Sequence, residues 1–152
     1  MIRFPEVICP VLQGCLLPLL LLHCASAGAD QFETWHGYEI HYATFSSLII
    51  PSQVAEAHGI VRSKNRIVTN LSIRQDGRSI RADVSGTSTN LLEQVTSMNF
   101  TEVTEQDAVY YLANQIINER DTIRFNINVK PERIDKTYNL QFIRQYYQSK
   151  SY

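Results

Sequence analysis

The sequence predicts an all-β fold, an antiparallel β-sandwich of about seven strands with one short helix. Apolar and polar residues alternate along several separate stretches, turn-forming residues separate these stretches, and one segment has a helical pattern instead. Successive side chains of a strand point to opposite faces, so each alternating stretch has one buried and one solvated face. Buried parallel strands would be apolar on both faces, so the pattern favours antiparallel sheets. A closed barrel is the alternative arrangement of the same strands.

The predicted elements follow from this alternation and from the residues that interrupt it. Residues Ile123–Lys130 alternate most clearly, and Asp76-Gly77 between two alternating runs indicates a two-residue hairpin turn. The segment 51–59 begins with proline, contains alanine and glutamate, and ends with glycine, which predicts a two-turn helix. Residues 90–94 are predicted to form a further turn. The predicted strands are residues 37–45, 66–75, 78–88, 96–104, 107–117, 121–130 and 137–147.

The first 27 residues have the features of an export signal. Arg3 carries a positive charge, an apolar stretch follows it, and the triplet 25–27 has the small-x-small pattern of a cleavage site. The apolar stretch is interrupted and shorter than the roughly 20 apolar residues that a membrane span needs. We therefore expect residues 1–27 to be cleaved, and residues 28–152 to form one domain outside the cytoplasm with no transmembrane span. An uncleaved anchor and a lipid attached to Cys24 are the less favoured alternatives.

Cysteine content and charge exclude several classes of function. All three cysteines, Cys9, Cys15 and Cys24, lie in the predicted signal, so the processed chain has none. Its core must therefore hold the fold without the disulfides that support many small secreted domains, and thiol catalysis is excluded. The sequence has 14 lysines and arginines against 15 acidic residues, with no run of like charge. A nucleic-acid binder would carry a basic stripe, so we predict no nucleic-acid partner.

Residues 106–111 are similar to a strand of immunoglobulin variable domains. In those domains an aspartate precedes a corner tyrosine whose hydroxyl bonds back to the backbone. Here no cysteine follows Tyr111, and the only tryptophan, Trp35, lies far upstream. The segment therefore indicates a local structure that β-sandwich folds have in common, and not an antibody-type domain. We predict that Tyr110 is a mostly buried structural tyrosine with a satisfied hydroxyl.

His36, Glu39 and His41 are the one compact set of residues that could ligate a metal. Glu39 and His41 share a strand face, but a zinc site needs three or four protein ligands or open positions in a defined geometry. The simpler interpretation is a solvated Glu–His pair, so we predict no metal, no cofactor and no catalytic residue. A metal-dependent enzyme built on these three residues is the catalytic alternative.

Arg62, Lys64 and Arg66 form the densest basic segment, with Asn65 between the last two. Most charge runs of this kind are solvated loops. The sharper interpretation is contact with an anion or a partner, because arginine suits carboxylates and phosphates. We therefore take Arg62, Lys64, Asn65 and Arg66 as the candidate binding residues, with an unknown envelope protein or ligand as the partner.

Several strings, in this order, are similar to a known family. They are residues 38–42, 50–60, 62–66, 85–92 and 107–111, and the most specific are R-S-K-N-R at 62–66 and S-G-T-S-T-N-L-L at 85–92. Together they resemble the domain-of-unknown-function family DUF 4426, small exported proteins of Gram-negative bacteria, over essentially the whole processed chain. The resemblance implies a periplasmic protein with an immunoglobulin-like sandwich, and it supplies no catalytic residues. The sequence departs from the expected pattern at Glu93, where a small residue would follow the leucine pair.

The sequence therefore predicts a non-catalytic binding or accessory module of unknown function. Such a module would use the basic segment or an exposed sheet edge to contact its partner. Besides the metal-dependent enzyme, the alternative is a small-ligand carrier with a pocket lined by aromatic residues such as Phe100, Tyr111 and Phe142.

Overall fold

The computed structural model describes residues 31–147, which form two antiparallel sheets packed face to face around an apolar core. Sheet A has the strand order β1-β2-β3-β8-β7, with β4 also paired to β3, and sheet B has the order β10-β9-β5-β6. The predicted antiparallel sandwich with one short helix is confirmed. The predicted signal and Cys24 lie outside the described residues. The strands are β1 (Phe32–Trp35), β2 (Tyr38–Ser46), β3 (Arg66–Gln75), β4 (Arg78–Ser79), β5 (Ala82–Thr89), β6 (Val95–Met98), β7 (Thr101–Glu105), β8 (Ala108–Ile116), β9 (Arg120–Pro131) and β10 (Tyr138–Tyr147).

Two predicted strands are each divided between the two sheets, which is one reason why the strands outnumber the prediction. The predicted strand 78–88 is β4 in sheet A and β5 in sheet B, and the chain crosses between them at Ile80–Arg81. The predicted strand 96–104 is β6 in sheet B and β7 in sheet A, with a crossing at Asn99–Phe100. Both sheets turn their apolar sides to the same core, so alternation continues through a crossing and does not reveal it.

The first strand, β1, was not predicted. It pairs with β2 through a turn at His36-Gly37, where both residues have positive φ, 49° and 80°. Left-handed backbone is routine for glycine and uncommon for histidine. Because His-Gly is not one of the usual hairpin dipeptides, the sequence did not mark this turn.

The core between the sheets confirms the alternation of the longest strands. In β9, the alternate residues from Ile123 to Val129 are buried, and the residues between them are exposed. Gly86 of β5 faces this core so closely that an added Cβ would lie 2.7 Å from the carbonyl oxygen of Asn126. Glycine is therefore required there by the approach of β9. The fully enclosed apolar side chains of the core are those of Ile40, Leu71, Ile73, Phe125, Ile127, Val129 and Leu140.

A short helix covers part of the outer face of sheet A. The helix α1 (Ser52–Ala57) follows a 3-10 helix at Ser47–Ile49 and lies within the predicted helical segment 51–59. Ala55 of α1 packs with Ile60 against Val68. Val68 belongs to the series that the alternation placed on the solvated face of β3, yet it is fully buried, because the helical segment shields it.

The buried structural tyrosine is Tyr111 and not the predicted Tyr110. The Tyr111 side chain is 4% exposed, and its hydroxyl accepts a hydrogen bond from the backbone N–H of Ala82 (2.7 Å) and donates one to Glu102 Oε2 (3.1 Å). Tyr110 is only partly buried, because its position in β8 directs it to the outer face of sheet A. The tie to the backbone that the sequence predicted is present, but one residue later in the strand.

Candidate functional site

The three candidate metal ligands do not come together. His41 Nε2 lies 3.0 Å from Glu39 Oε2 on the outer face of sheet A, and the His41 ring stacks on Phe32. His36 lies in the β1–β2 turn, where its ring meets the edge of Trp35 with 4.7 Å between ring centroids. Within residues 31–147, no three His, Asp or Glu side chains are grouped so that they could hold a metal.

The candidate basic residues lie close together, but part of their hydrogen-bonding capacity is used within the chain. Arg62 Nη2 donates to the carbonyl of Leu48 (3.0 Å), at the 3-10 helix. The Arg66 guanidinium donates to the side-chain oxygen of Asn114 on the neighbouring strand. The backbone carbonyl of Asn65 accepts from the N–H of Ile117 (2.8 Å).

These bonds give the basic segment a structural role in addition to any role in binding. Ser63 also attaches this segment to the fold, because the Ser63 N–H donates to Ser47 Oγ (2.9 Å) and Ser47 Oγ donates to the Ser63 carbonyl (3.1 Å). Ser47 is fully buried. Arg62, Lys64 and Asn65 are nonetheless exposed, so their side chains reach the surface of a well-anchored loop.

One end of the sandwich, which we call the loop end, carries the segments 90–94 and 117–119 and both ends of the segment 47–65, whose helix α1 lies over the outer face of sheet A. A bond between the sheets fixes their alignment, because the Tyr146 hydroxyl donates to Thr44 Oγ1 at 2.7 Å. Thr44 is close to the end of β2 and Tyr146 is close to the end of β10, so both sheets terminate here. The basic segment therefore belongs to the loop end.

Exposed apolar side chains are concentrated at the loop end. Leu91 and Leu92, in the segment between β5 and β6, are 72% and 75% exposed, and Ile49 of the 3-10 helix is 72% exposed. Single exposed apolar residues are ordinary, but larger groups of them mark interaction surfaces. No binding role for these residues was predicted from the sequence, although an adjacent leucine pair within a predicted turn was an available signal. Further exposed large apolar residues at this end include Leu48, Val61, Val95, Ile116 and Tyr147.

The leucine pair is presented by an ordered turn. Asn90 Oδ1 accepts from the backbone N–H of Leu92 and from that of Gln94, both at 3.0 Å. Asn90 Nδ2 donates to Gln94 Oε1 at 2.7 Å. Glu93 adopts a φ of 57° in this turn, the left-handed conformation that a non-glycine residue adopts at a cost. The predicted turn at 90–94 is therefore present. A small residue was expected at position 93, and the positive φ there explains why such a residue would suit the backbone.

The opposite end, which we call the turn end, carries the hairpin turns at 36–37, 76–77 and 106–107. A cleft of about 700 Å³ opens there on the outer face of sheet A. A smaller cleft of about 370 Å³ lies beside it and includes His41. Ser72 and Arg74 line both clefts, so the two clefts adjoin.

The fold and these surfaces define a small antiparallel β-sandwich domain with an apolar loop end and a polar cleft. The chain belongs to the family described as Domain of unknown function (DUF4426), whose model matches residues 32–149. A crystal structure of a DUF4426 family protein from Pseudomonas aeruginosa PAO1 is 29% identical, with a TM-score of 0.72, and covers 79% of this chain and 96% of that chain. The resemblance found in the sequence is thus confirmed.

The fold also occurs in a more distant protein. FetP of uropathogenic E. coli strain F11, produced in the periplasm of E. coli, is 12% identical with a TM-score of 0.58, over 78% of this chain and 93% of that chain. A copper-bound variant of FetP is 13% identical with a TM-score of 0.57, over 78% and 95% of the two chains. At this identity the likeness concerns the fold alone. No match was found among functionally curated proteins.

A membrane-spanning helix was not expected, and residues 31–147 contain no helix with the length and apolar character that crossing a bilayer requires.

Proposed function

We propose that this protein is an exported periplasmic binding module, without catalytic activity, that holds a protein partner against its loop end. The observation that carries this proposal is the presentation of Leu91 and Leu92, both more than 70% exposed, on a turn that the side chain of Asn90 organises. A turn ordered before binding loses little conformational entropy on association, so more of the apolar burial contributes to affinity.

The loop end as a whole exposes the kinds of residue that protein interfaces contain. Ile49 adds a third exposed aliphatic side chain at this end. Covering such side chains with a partner would stabilise the complex, because burial of apolar area contributes about 25 cal/mol per Å². Arg62 and Lys64 add exposed cations at the same end. Protein–protein contacts typically combine apolar and polar groups.

A periplasmic location is supported by the sequence. The small-x-small triplet at 25–27 follows an apolar stretch, as in secretory signals. All cysteines precede the predicted cleavage point, so the processed domain does not depend on the redox state of its compartment.

The alternative functions have less support. The carrier hypothesis requires aromatic residues around a cavity, but Tyr111 and Phe142 are buried in the core and Phe100 packs against it. Phe142 stacks on Phe125 with 4.6 Å between ring centroids. The enzyme hypothesis requires a third ligand near Glu39 and His41, and His36 is held in the β1–β2 turn beside Trp35.

The test is site-specific photo-cross-linking in cells that secrete the full chain. A photoreactive residue at position 92 should give one discrete heavier product, whose second component is identified by mass spectrometry. The same residue at Ile143, an exposed aliphatic position (55%) on the outer face of sheet B, is the matched control and should give none. Leu91→Ser should abolish the product formed from position 92. Equal products from positions 92 and 143, or no product from position 92, would contradict the proposal.

A further inference from the structure

The larger cleft exists because two hairpins of sheet A diverge. β3 pairs with β8 only along Arg66–Leu71, and beyond this point β4 takes the place beside β3. A bond from the Val109 N–H to Ser79 Oγ (3.3 Å) closes the fork between β4 and β8. The β3–β4 hairpin and the β7–β8 hairpin therefore form two walls, with about 700 Å³ between them.

The two walls carry opposite charges. Arg74 and Arg78 line the wall formed by the β3–β4 hairpin, and Glu105 and Asp107 line the wall formed by the β7–β8 hairpin. None of the ion pairs within residues 31–147 joins one wall to the other. Glu105 has an ion-pair contact outside the walls, 3.8 Å from His58 Nε2. The cleft thus keeps cations and carboxylates facing each other across solvent.

The arginine wall is partly ordered. Arg74 Nη2 donates to the carbonyl of Gly77 at 3.0 Å, which holds the guanidinium beside the turn. A guanidinium has five N–H donors, so this bond leaves donors for a ligand. Ser72 and Tyr110 line the cleft between the walls and offer hydroxyl groups that both donate and accept.

We propose that this cleft binds short peptides with free, charged termini. The peptide carboxylate would accept hydrogen bonds from Arg74 and Arg78, a pairing that suits the planar guanidinium. Its ammonium group would face Glu105 and Asp107. A ligand with only one charge would meet repulsion from one of the walls, whereas a zwitterion complements both. The cleft volume lies in the range of small-molecule sites. This site is at the opposite end from the leucine pair, so it does not depend on the proposed function.

The experiment titrates purified processed protein with trialanine and follows backbone amide shifts by NMR. We expect saturable shifts at residues 72–79 and 105–110. N-acetyl-trialanine and trialanine amide, which each lack one charge, should bind at least tenfold more weakly. The absence of saturable shifts with trialanine at about 20 mM would overturn the proposal. This concentration is far above the dissociation constant of about 1 mM that is typical of weak specific ligands.

Variants assign the two walls separately. Arg78→Gln should weaken trialanine about tenfold, the effect expected for one charge-assisted contact, without weakening trialanine amide, which has no carboxylate for Arg78 to contact. Asp107→Asn should weaken trialanine without weakening N-acetyl-trialanine, which has no ammonium group. Arg124→Gln, on the exposed face of sheet B, is the control and should bind trialanine like the wild type. Equal weakening by Arg78→Gln and Arg124→Gln would contradict a site in the cleft.

Discussion

The Tyr111 hydroxyl accepts a hydrogen bond from the backbone N–H of Ala82 and thereby joins β8 of sheet A to the first residue of β5 in sheet B. This bond lies immediately after the crossing at Ile80–Arg81. It fixes the point at which the chain enters the second sheet. The hydroxyl also donates a hydrogen bond to Glu102, so the tyrosine is used both as acceptor and as donor.

Removal of the Tyr111 hydroxyl should destabilise the fold. Tyr111→Phe leaves the Ala82 N–H buried without its acceptor, which costs about 1–3 kcal/mol in the free energy of unfolding. Tyr110→Phe is the matched control, because Tyr110 is partly exposed, and should change stability by less than about 0.5 kcal/mol. Urea denaturation followed by circular dichroism measures both. Equal effects of the two substitutions would refute the role given to Tyr111.

Stability should fall at alkaline pH. Burial, the largest cause, raises the pKa of Tyr111 to about 12, and burial likewise raises the pKa of Tyr146 to about 12. The hydrogen bond to Glu33 is the main cause that raises the pKa of Tyr138 to about 12. A raised pKa favours the neutral phenol in the folded state, so this stability is complete below the unfolded value near 10 and is lost as pH rises towards 12.

The contribution of one tyrosine to the loss of stability at alkaline pH can be measured with single substitutions. Unfolding free energies measured between pH 9 and pH 12 should decline with a shallower slope in Tyr146→Phe than in the wild type, since one shifted phenol is removed. Tyr147→Phe changes an exposed tyrosine and should leave the slope unaltered. A wild-type stability independent of pH across this interval would show that these phenols are not shifted.

Gly86 should not tolerate a side chain. In Gly86→Ala, the new Cβ would lie 2.7 Å from the Asn126 carbonyl oxygen and 3.1 Å from Ile127 Cα, and β9 cannot yield without disturbing the core. Overpacking of this kind costs about 1–3 kcal/mol. Ser85→Ala, at the adjacent exposed position, should be nearly neutral. Thermal unfolding distinguishes them, and a Gly86→Ala protein as stable as the wild type would disprove the close approach.

Glu93→Gly should stabilise the protein. The residue has a φ of 57°, and left-handed backbone costs a non-glycine residue about 1–2 kcal/mol. The gain in unfolding free energy should be smaller, about 0.5–1 kcal/mol, because glycine also has more conformational freedom in the unfolded chain. Glu119→Gly, in a loop residue without positive φ, should instead destabilise. Chemical denaturation in which both variants lose stability would contradict this explanation.

The sequence predicted the parts of the fold that local pattern controls. The alternation in β9 identified the buried series from Ile123 to Val129, and the proline-to-glycine segment identified α1. The two crossings could not be predicted, because Ile80 and Ala82 face the same core on either side of one. Burial of Val68 depends on α1 folding back over β3, which is a tertiary effect that the alternation of β3 does not contain.

The candidate sites, like the fold, have features that the local sequence predicted and features that depend on distant parts of the chain. The basic segment was visible as a cluster of charge, but the bonds from Arg62 to Leu48 and from Arg66 to Asn114 join distant parts of the chain and depend on the fold. The cleft was beyond prediction, because its walls come from two hairpins about 30 residues apart whose strands stop pairing after Leu71. Local spacing carries no information on where two paired strands separate.

The two places where the chain passes from one sheet to the other couple the assembly of the two sheets. β5 and β6 can pair with each other early, but β4 before them and β7 after them belong to the opposite layer, and each layer is completed by a pairing remote in sequence, β3 with β8 and β5 with β9. Proteins dominated by such remote pairings reach the native state slowly. Slow maturation would suit a polypeptide that, as we propose, leaves the cytoplasm before it folds, because a chain still lacking its layers can be threaded through a narrow translocation pore.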